Sequence, residues 1–310
     1  MISDYFFTST FFTIFSGFLF INNNLIIPSG IDSFIREVVS KQFAVSNQDF
    51  NSINYLNDRK NRLTSNNLII GSSFSFSNKS RKNMYDNEFS EFKLKIELAG
   101  NLTNLTSNLL NVSKDEFGKN KVLGLTYSQF LKTETGYIKH WPIGLNSIIA
   151  FRSFFGIAIP FGNSNNIPFS KSFFAGGSND NRAWEVYRLG PGSSEALSEF
   201  NEANMKIAMN IEYRFKILGK LDGALFTDIG NIWNVFDDTK DSKRTFNSLR
   251  DLDEIAIGSG IGLRYNIGYF VLRLDMGLKT YNPVLETNKR WLTDFNLKKA
   301  VFNIGLNYPF

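Results

Sequence analysis

Alternation at a period of two, held over stretches of ten residues or more, constrains this chain most. Lys206–Lys216 reads KIAMNIEYRFK, with Ile207, Met209, Ile211, Tyr213 and Phe215 on one face and Lys206, Ala208, Asn210, Glu212, Arg214 and Lys216 on the other. Phe270–Lys279 opposes Phe270, Leu272, Leu274, Met276 and Leu278 to Val271, Arg273, Asp275, Gly277 and Lys279. The same pattern runs through 89–103, 254–267 and 298–310. A helix cannot present such a pattern on one side, whereas a strand does so at every second residue.

A soluble antiparallel sheet also alternates, with its apolar face on a core. Three features favour a membrane barrel. The strands reach the length of a tilted spanning strand. Their polar faces carry both signs of charge, as a wet lumen allows. Aromatic residues gather near strand ends (Tyr213 and Phe215, Trp233, Tyr265 and Tyr269, Tyr308 and Phe310), where interfacial girdles lie. The fold class is therefore all-β, a transmembrane antiparallel β-barrel. Expected strands are 3–14, 15–27, 33–46, 66–77, 89–103, 121–138, 146–160, 203–216, 220–234, 254–267, 268–280 and 298–310, twelve in all. Residues 1–310 read as one barrel domain, with 1–64 the part the pattern defines least. The segment Tyr5–Ile21 is apolar but interrupted by Thr and Ser, and Asp4 precedes it. A strand or hairpin, an atypical signal peptide and a helix all remain open there.

Composition removes other classes. With no Cys and one His, disulfide frameworks, thiolate zinc sites, Cys nucleophiles and multi-His metal sites are excluded. No metal or cofactor is expected. Lys plus Arg outnumber Asp plus Glu by 34 to 29, but the basic residues are scattered in polar, turn-like clusters, among them Arg59–Lys60–Arg62, Lys79–Arg81–Lys82 and Lys240–Lys243–Arg244. They read as solvated loop charge, not as a nucleic-acid face. No G-x-S-x-G, Walker or H-E-x-x-H motif occurs, so no enzyme is expected. His140, before Trp141–Pro142, reads as a surface turn residue. Gly258–Ser259–Gly260–Ile261–Gly262 reads as a strand with small inward positions that leave room for a folded-in loop.

That loop is Phe161–Glu202. It contains Phe169, Phe173, Phe174, Trp184 and Tyr187, with turns at Gly176–Gly177 and Gly190–Pro191–Gly192. So aromatic a loop needs a surface to bury against, and the barrel lumen is the nearest.

Its stretch FFAGGSNDNRAW resembles the signature of the BamA/TamA superfamily of outer-membrane barrel assembly factors. The GPGS continuation is similar to TamA-like members of the Bacteroidetes type. GALFTDIGNIW (Gly223–Trp233), GIGLRYNIGYFVLRLD (Gly260–Asp275) and NIGLNYPF (Asn303–Phe310) resemble the family's later strands, in order. The resemblance covers roughly 65–310 and departs at Arg182–Ala183, where the family has Arg-Gly. It implies that the chain holds the last twelve of sixteen strands, with an extracellular loop folded into the lumen and no POTRA domains of its own. Arg182 would anchor that loop on Asp228, with Glu212 as second acceptor, in a motif with Gly176, Gly177, Trp184, Gly190, Pro191 and Gly192. Asn303, Gly305, Tyr308 and Phe310 would form the sorting strand. Arg273, Asp275 and Lys279 form a candidate lumen charge network.

The resemblance implies an integral protein of the bacterial outer membrane that helps insert or translocate outer-membrane proteins through a seam between its first and last strands. Implied partners are outer-membrane lipids, unfolded outer-membrane protein clients and POTRA-bearing or accessory subunits, with no nucleic acid. The rival readings are a passive or selective pore and a non-autonomous fragment of a longer assembly factor.

Overall fold

The computed structural model describes residues 67–82, 86–110, 112–195 and 201–310. The expected strands 3–14, 15–27 and 33–46 lie outside the described residues. Twelve strands occur within them. A small sheet contains β1 (Asn67–Leu68), β4 (Lys121–Val122) and β5 (Leu125–Tyr127). The large sheet contains β2 (Gly71–Lys79), β3 (Phe89–Ala99), β6 (Phe130–Gly144), β7 (Ser147–Pro160), β8 (Met205–Leu218), β9 (Leu221–Trp233), β10 (Ala256–Asn266), β11 (Val271–Tyr281) and β12 (Val301–Leu306). Its order is β12-β11-β10-β9-β8-β7-β6-β3-β2, antiparallel throughout.

Burial is inverted relative to a water-soluble sheet. On β8, Asn210, Glu212 and Arg214 are buried while Ile211 and Tyr213 are exposed. On β10 and β11, Arg264, Arg273 and Asp275 are buried while Leu263, Tyr265 and Leu274 are exposed. Apolar groups turned outward require an apolar surrounding, which lipid supplies. The nine strands are thus a membrane-barrel wall with a polar inner face. Short turns join β6 to β7, β8 to β9 and β10 to β11 at one end, and the long connections lie at the other. Exposed Trp141, Tyr213, Tyr265 and Tyr269 ring the short-turn end. The chief apolar core lies at the long-loop end, where Ile167, Phe173, Trp184 and Leu189 of the β7–β8 connection pack on Phe130, Ala158 and Ile232 of the wall.

Several expectations are corrected. The strand expected over 89–103 stops at Ala99. The chain turns at Gly100 (φ +84°) and continues as helix α1 (Asn101–Leu110). The expected 121–138 strand divides into β4, β5 and β6, the last extending to Gly144. His140 is inside β6, not in a turn, and is buried with its ring 4.3 Å from that of Phe89. Its parity places it on the inner face with Glu134 and Gly136. Trp233 is no girdle residue. It is fully buried with Met205 and Val235, and its indole N–H donates to Glu254. Arg244 is buried on Asp241 (2.8 Å), and Lys79 lies in β2. The β12 ladder ends at Asn307 (φ +63°). Beyond it, Tyr308 and Phe310 place their rings 4.3 and 5.5 Å from the guanidinium of the inward-facing Arg214.

Candidate functional site

The site is a loop seated on the inner wall. The β7–β8 connection turns twice at Gly176 and Gly177, whose φ values of +94° and +99° favour residues without a Cβ. The Gly176 N–H donates to Asp180, and the Gly177 N–H to the carbonyl of Trp184. This hairpin presents residues 179–183 to the wall. Two strand glycines make room for it. A Cβ at Gly258 would lie 2.6 Å from that of Ala183, and one at Gly277 would lie 2.8 Å from the Ala183 nitrogen. Ala183 is itself buried and its φ is not positive, so the Cβ that replaces the family's glycine sits without backbone strain.

Arg182, 1 % exposed, forms the centre. Its Nε and Nη2 donate to the two oxygens of Asp228 at 2.8 and 2.9 Å, and its own backbone N–H adds a third bond of 3.0 Å. Nη1 donates to Glu212 at 2.6 Å and reaches Asp275 at 3.5 Å. The guanidinium lies 3.5 Å over the Phe226 ring. The Arg182 carbonyl accepts from Asn303 Nδ2 of β12 at 3.0 Å. Asn210 donates to both Asp228 and the Asp180 carbonyl, fixing the carboxylate and the hairpin together.

Around this fork the inner wall is a charge lattice. Arg264 donates to Asp275 (2.5 Å) and Glu212 (3.1 Å). Arg214 donates to Glu212 (2.8 Å) and to the main-chain oxygen of Phe310 (3.2 Å). Arg273 lies 3.3 Å from Asp275 and donates to Asn179 Oδ1. Four buried guanidinium groups thus share Glu212, Asp228 and Asp275. Buried charges persist only when paired and hydrogen-bonded in this way.

The second half of the loop motif sits higher. The Gly190–Pro191 peptide bond is cis, the Gly192 N–H donates to the Ile232 carbonyl, and Asn231 Nδ2 donates back to the Gly192 carbonyl. Glu254, on the β9–β10 connection, accepts from Ser193 Oγ (2.6 Å) and Trp233 Nε1 (3.0 Å). Burial pushes its carboxyl up, against the pull of those two donors.

A family model, the Omp85 superfamily domain, matches residues 36–297. The chain belongs to the Omp85 superfamily. The match is at superfamily level and does not extend to a Bacteroidetes TamA-like subtype. No curated protein matches the sequence. Among solved structures, BamA from Haemophilus ducreyi lacking POTRA domains 1–3 is similar, with a TM-score of 0.42 and 11% identity over 79% of this chain and 55% of that one. The chain thus spans about half the length of that relative.

Within this Omp85 domain, Arg182, Asp228 and Glu212 meet at one point, with Trp184 buried beside them and Lys279 over its ring (5.4 Å). Lys279 does not join the carboxylates that hold Arg273. Gly190, Pro191 and Gly192 sit against β9 instead. Asn303 reaches the loop, whereas Gly305 faces Arg273, where a Cβ would crowd its guanidinium. Sequence reasoning missed Arg264, Arg214, Asn210 and Phe226 as members of the site. All four lie on the inward parity of their strands, which was the available signal. No group of three or more His, Cys, Asp or Glu suited to a metal occurs among the described residues.

Proposed function

We propose that the protein is an outer-membrane assembly or translocation barrel, in which the β12 edge receives incoming strands and the Arg182 loop seals the lumen. Superfamily membership supports the general role and the outer-membrane location. The observation that carries the finer reading is the edge itself. Among the described residues β12 pairs only with β11, and over six residues against the eleven of its neighbour. A short terminal strand with unpaired main-chain groups can template another strand by β-augmentation. Arg182, bound to Asp228 and Glu212, would hold the loop, and Asn303, Gly305, Tyr308 and Phe310 would carry the sorting signal. Clients would be unfolded outer-membrane proteins, with POTRA-bearing or accessory subunits as partners. The inner wall supports no covalent chemistry in this reading. The test is reconstitution in lipid vesicles with a urea-unfolded outer-membrane barrel as client. Its folding, followed by heat-modifiable gel mobility, is expected to accelerate, and Ile304→Pro is expected to abolish the gain. Absence of acceleration overturns the reading.

One observation favours a pore. A cavity of about 430 Å³ adjoins β2, β3, β6 and β7, with Lys93, Lys95, Glu134 and Arg152 on its wall. Stable, open conductance in planar bilayers would support that reading, and small flickering conductance the plugged assembly barrel.

A further inference from the structure

Helix α1, which continues from the long-loop end of β3, is inside out. Its hydroxyl face is the buried one. Thr103 and Ser107 are each 3 % exposed, and Ser107 Oγ and Asn104 Oδ1 both bond the phenol of the buried Tyr127 (3.0 and 2.9 Å). Thr103 Oγ1 donates to the Gly100 carbonyl. The opposite face presents Leu102 and Leu105, 65 % and 58 % exposed. A surface helix in water buries its apolar stripe and shows charge to the solvent. Here no charged side chain occurs from Leu98 to Ser113. The inversion is that of the barrel strands, polar inward and apolar outward.

The apolar face of α1 is also continuous with the outer face of the wall. Leu98, three residues before the helix, pairs across the sheet with Leu131, and both lie on the outward parity with Phe92, Leu94 and Ile96. Leu123, in the turn between β4, which adjoins α1, and β5, is 88 % exposed.

We propose that α1 is a lipid-contacting element, whose Leu102–Leu105 face lies in the acyl region just beneath the headgroups of the leaflet at the long-loop end. Acyl chains are the occupant that matches an uncharged leucine face joined to a lipid-facing strand; an aqueous or polar protein surface would leave it unmatched. The element widens the barrel's apolar belt beside β3 with a helix, where a strand would have to continue upward with its ladder unpaired. The inference rests on the membrane-barrel reading, and the experiment separates the two.

Because the chain has no Cys, single cysteines can be labelled at chosen positions. Leu105→Cys, Ile211→Cys on the outer face of β8, and Ser242→Cys in the β9–β10 connection would each carry an environment-sensitive fluorophore in the full chain reconstituted in phosphatidylcholine vesicles. Lipids brominated near the headgroup are expected to quench the probe at 105 several-fold more than that at 242, while aqueous iodide does the reverse. Quenching at 105 by iodide alone, with the probe at 211 still lipid-quenched, overturns the proposal and leaves the barrel reading intact. If the probe at 211 is also quenched only by iodide, the membrane-barrel reading fails, and the proposal with it. Leu102→Ser with the probe at 105 is expected to shift its emission to the red; an unchanged spectrum also counts against lipid contact.

Discussion

Arg182 and Asp228 are joined by three N–H groups from one residue, two from the guanidinium and one from the backbone, all received by a single carboxylate. The backbone bond ties the loop's main chain, as well as its side chain, to β9. An arginine fork matches a carboxylate as an ammonium group cannot. Arg182→Lys is therefore expected to fail almost as fully as Arg182→Ala, each costing on the order of 3–5 kcal/mol for a broken buried pair. Thermal melting in detergent and limited proteolysis within 173–195 measure it. Unchanged protection in Arg182→Ala would show that the pair does not hold the loop.

Glu212 takes hydrogen bonds from Arg182, Arg214 and Arg264, whereas Asp275 takes its shortest from Arg264. Glu212→Gln deprives three cations at once and is expected to destabilise more than Asp275→Asn. A double-mutant cycle with Arg264→Met should show coupling of at least about 1 kcal/mol, as contacting network residues do. Additive losses would remove the lattice as a unit.

Space offers a test that leaves every charge in place. A Cβ at Gly277 would come within 2.8 Å of the Ala183 nitrogen. Gly277→Val should unseat the loop, raising single-channel conductance and exposing 173–195 to protease. Wild-type conductance in a folded variant would mean the loop does not obstruct the lumen.

The β11–β12 connection should loosen in acid. Burial alone would raise the Asp294 carboxyl, but its bonds to Lys299 (2.5 Å) and Asn282 (2.6 Å) outweigh burial and hold it below its ordinary value. A depressed acid contributes stability that is present above the unfolded pKa, near 4, and lost as pH falls through the lower folded value. Proteolysis of 282–300 should rise below about pH 4. Asp294→Asn should be loose already at neutral pH, with a flatter acid response. Identical profiles would exclude Asp294 as the cause.

Much of the wall was legible because alternation survives any tertiary detail. The expected strand 203–216 lies within two residues of β8 at each end, and 220–234 within one residue of β9. The same parity placed Asp228 and Glu212 inward. It placed Arg264, Arg214 and Phe226 inward as well, but only the loop's position decides which inward residues it touches. His140 was misread because Trp141–Pro142 looks like a turn, although a proline can sit in a strand where its missing N–H is not needed. Helix α1 was hidden because the period-two pattern of β3 runs into Leu102. The spacing of Leu102, Leu105 and Leu109 is helical, but with polar residues between them it is also too short to stand out. The inward turn of Tyr308 and Phe310 rests on Asn307 adopting a left-handed conformation, which an asparagine in a strand pattern does not announce.

The bond from Asn303 Nδ2 to the Arg182 carbonyl closes a separation of 121 residues. The wall partners that Arg182 uses, on β8, β9, β11 and β12, all come later in the chain than the loop itself. During synthesis the loop follows Phe130 and Ala158, on which its apolar residues pack, but precedes every partner of Arg182. The Arg182 contacts are therefore of high contact order, and the last of them requires β12. A wall lacking its final strand leaves the Arg182 carbonyl without Asn303, so the latch on the loop is complete only when both ends of the segment 182–303 are in place.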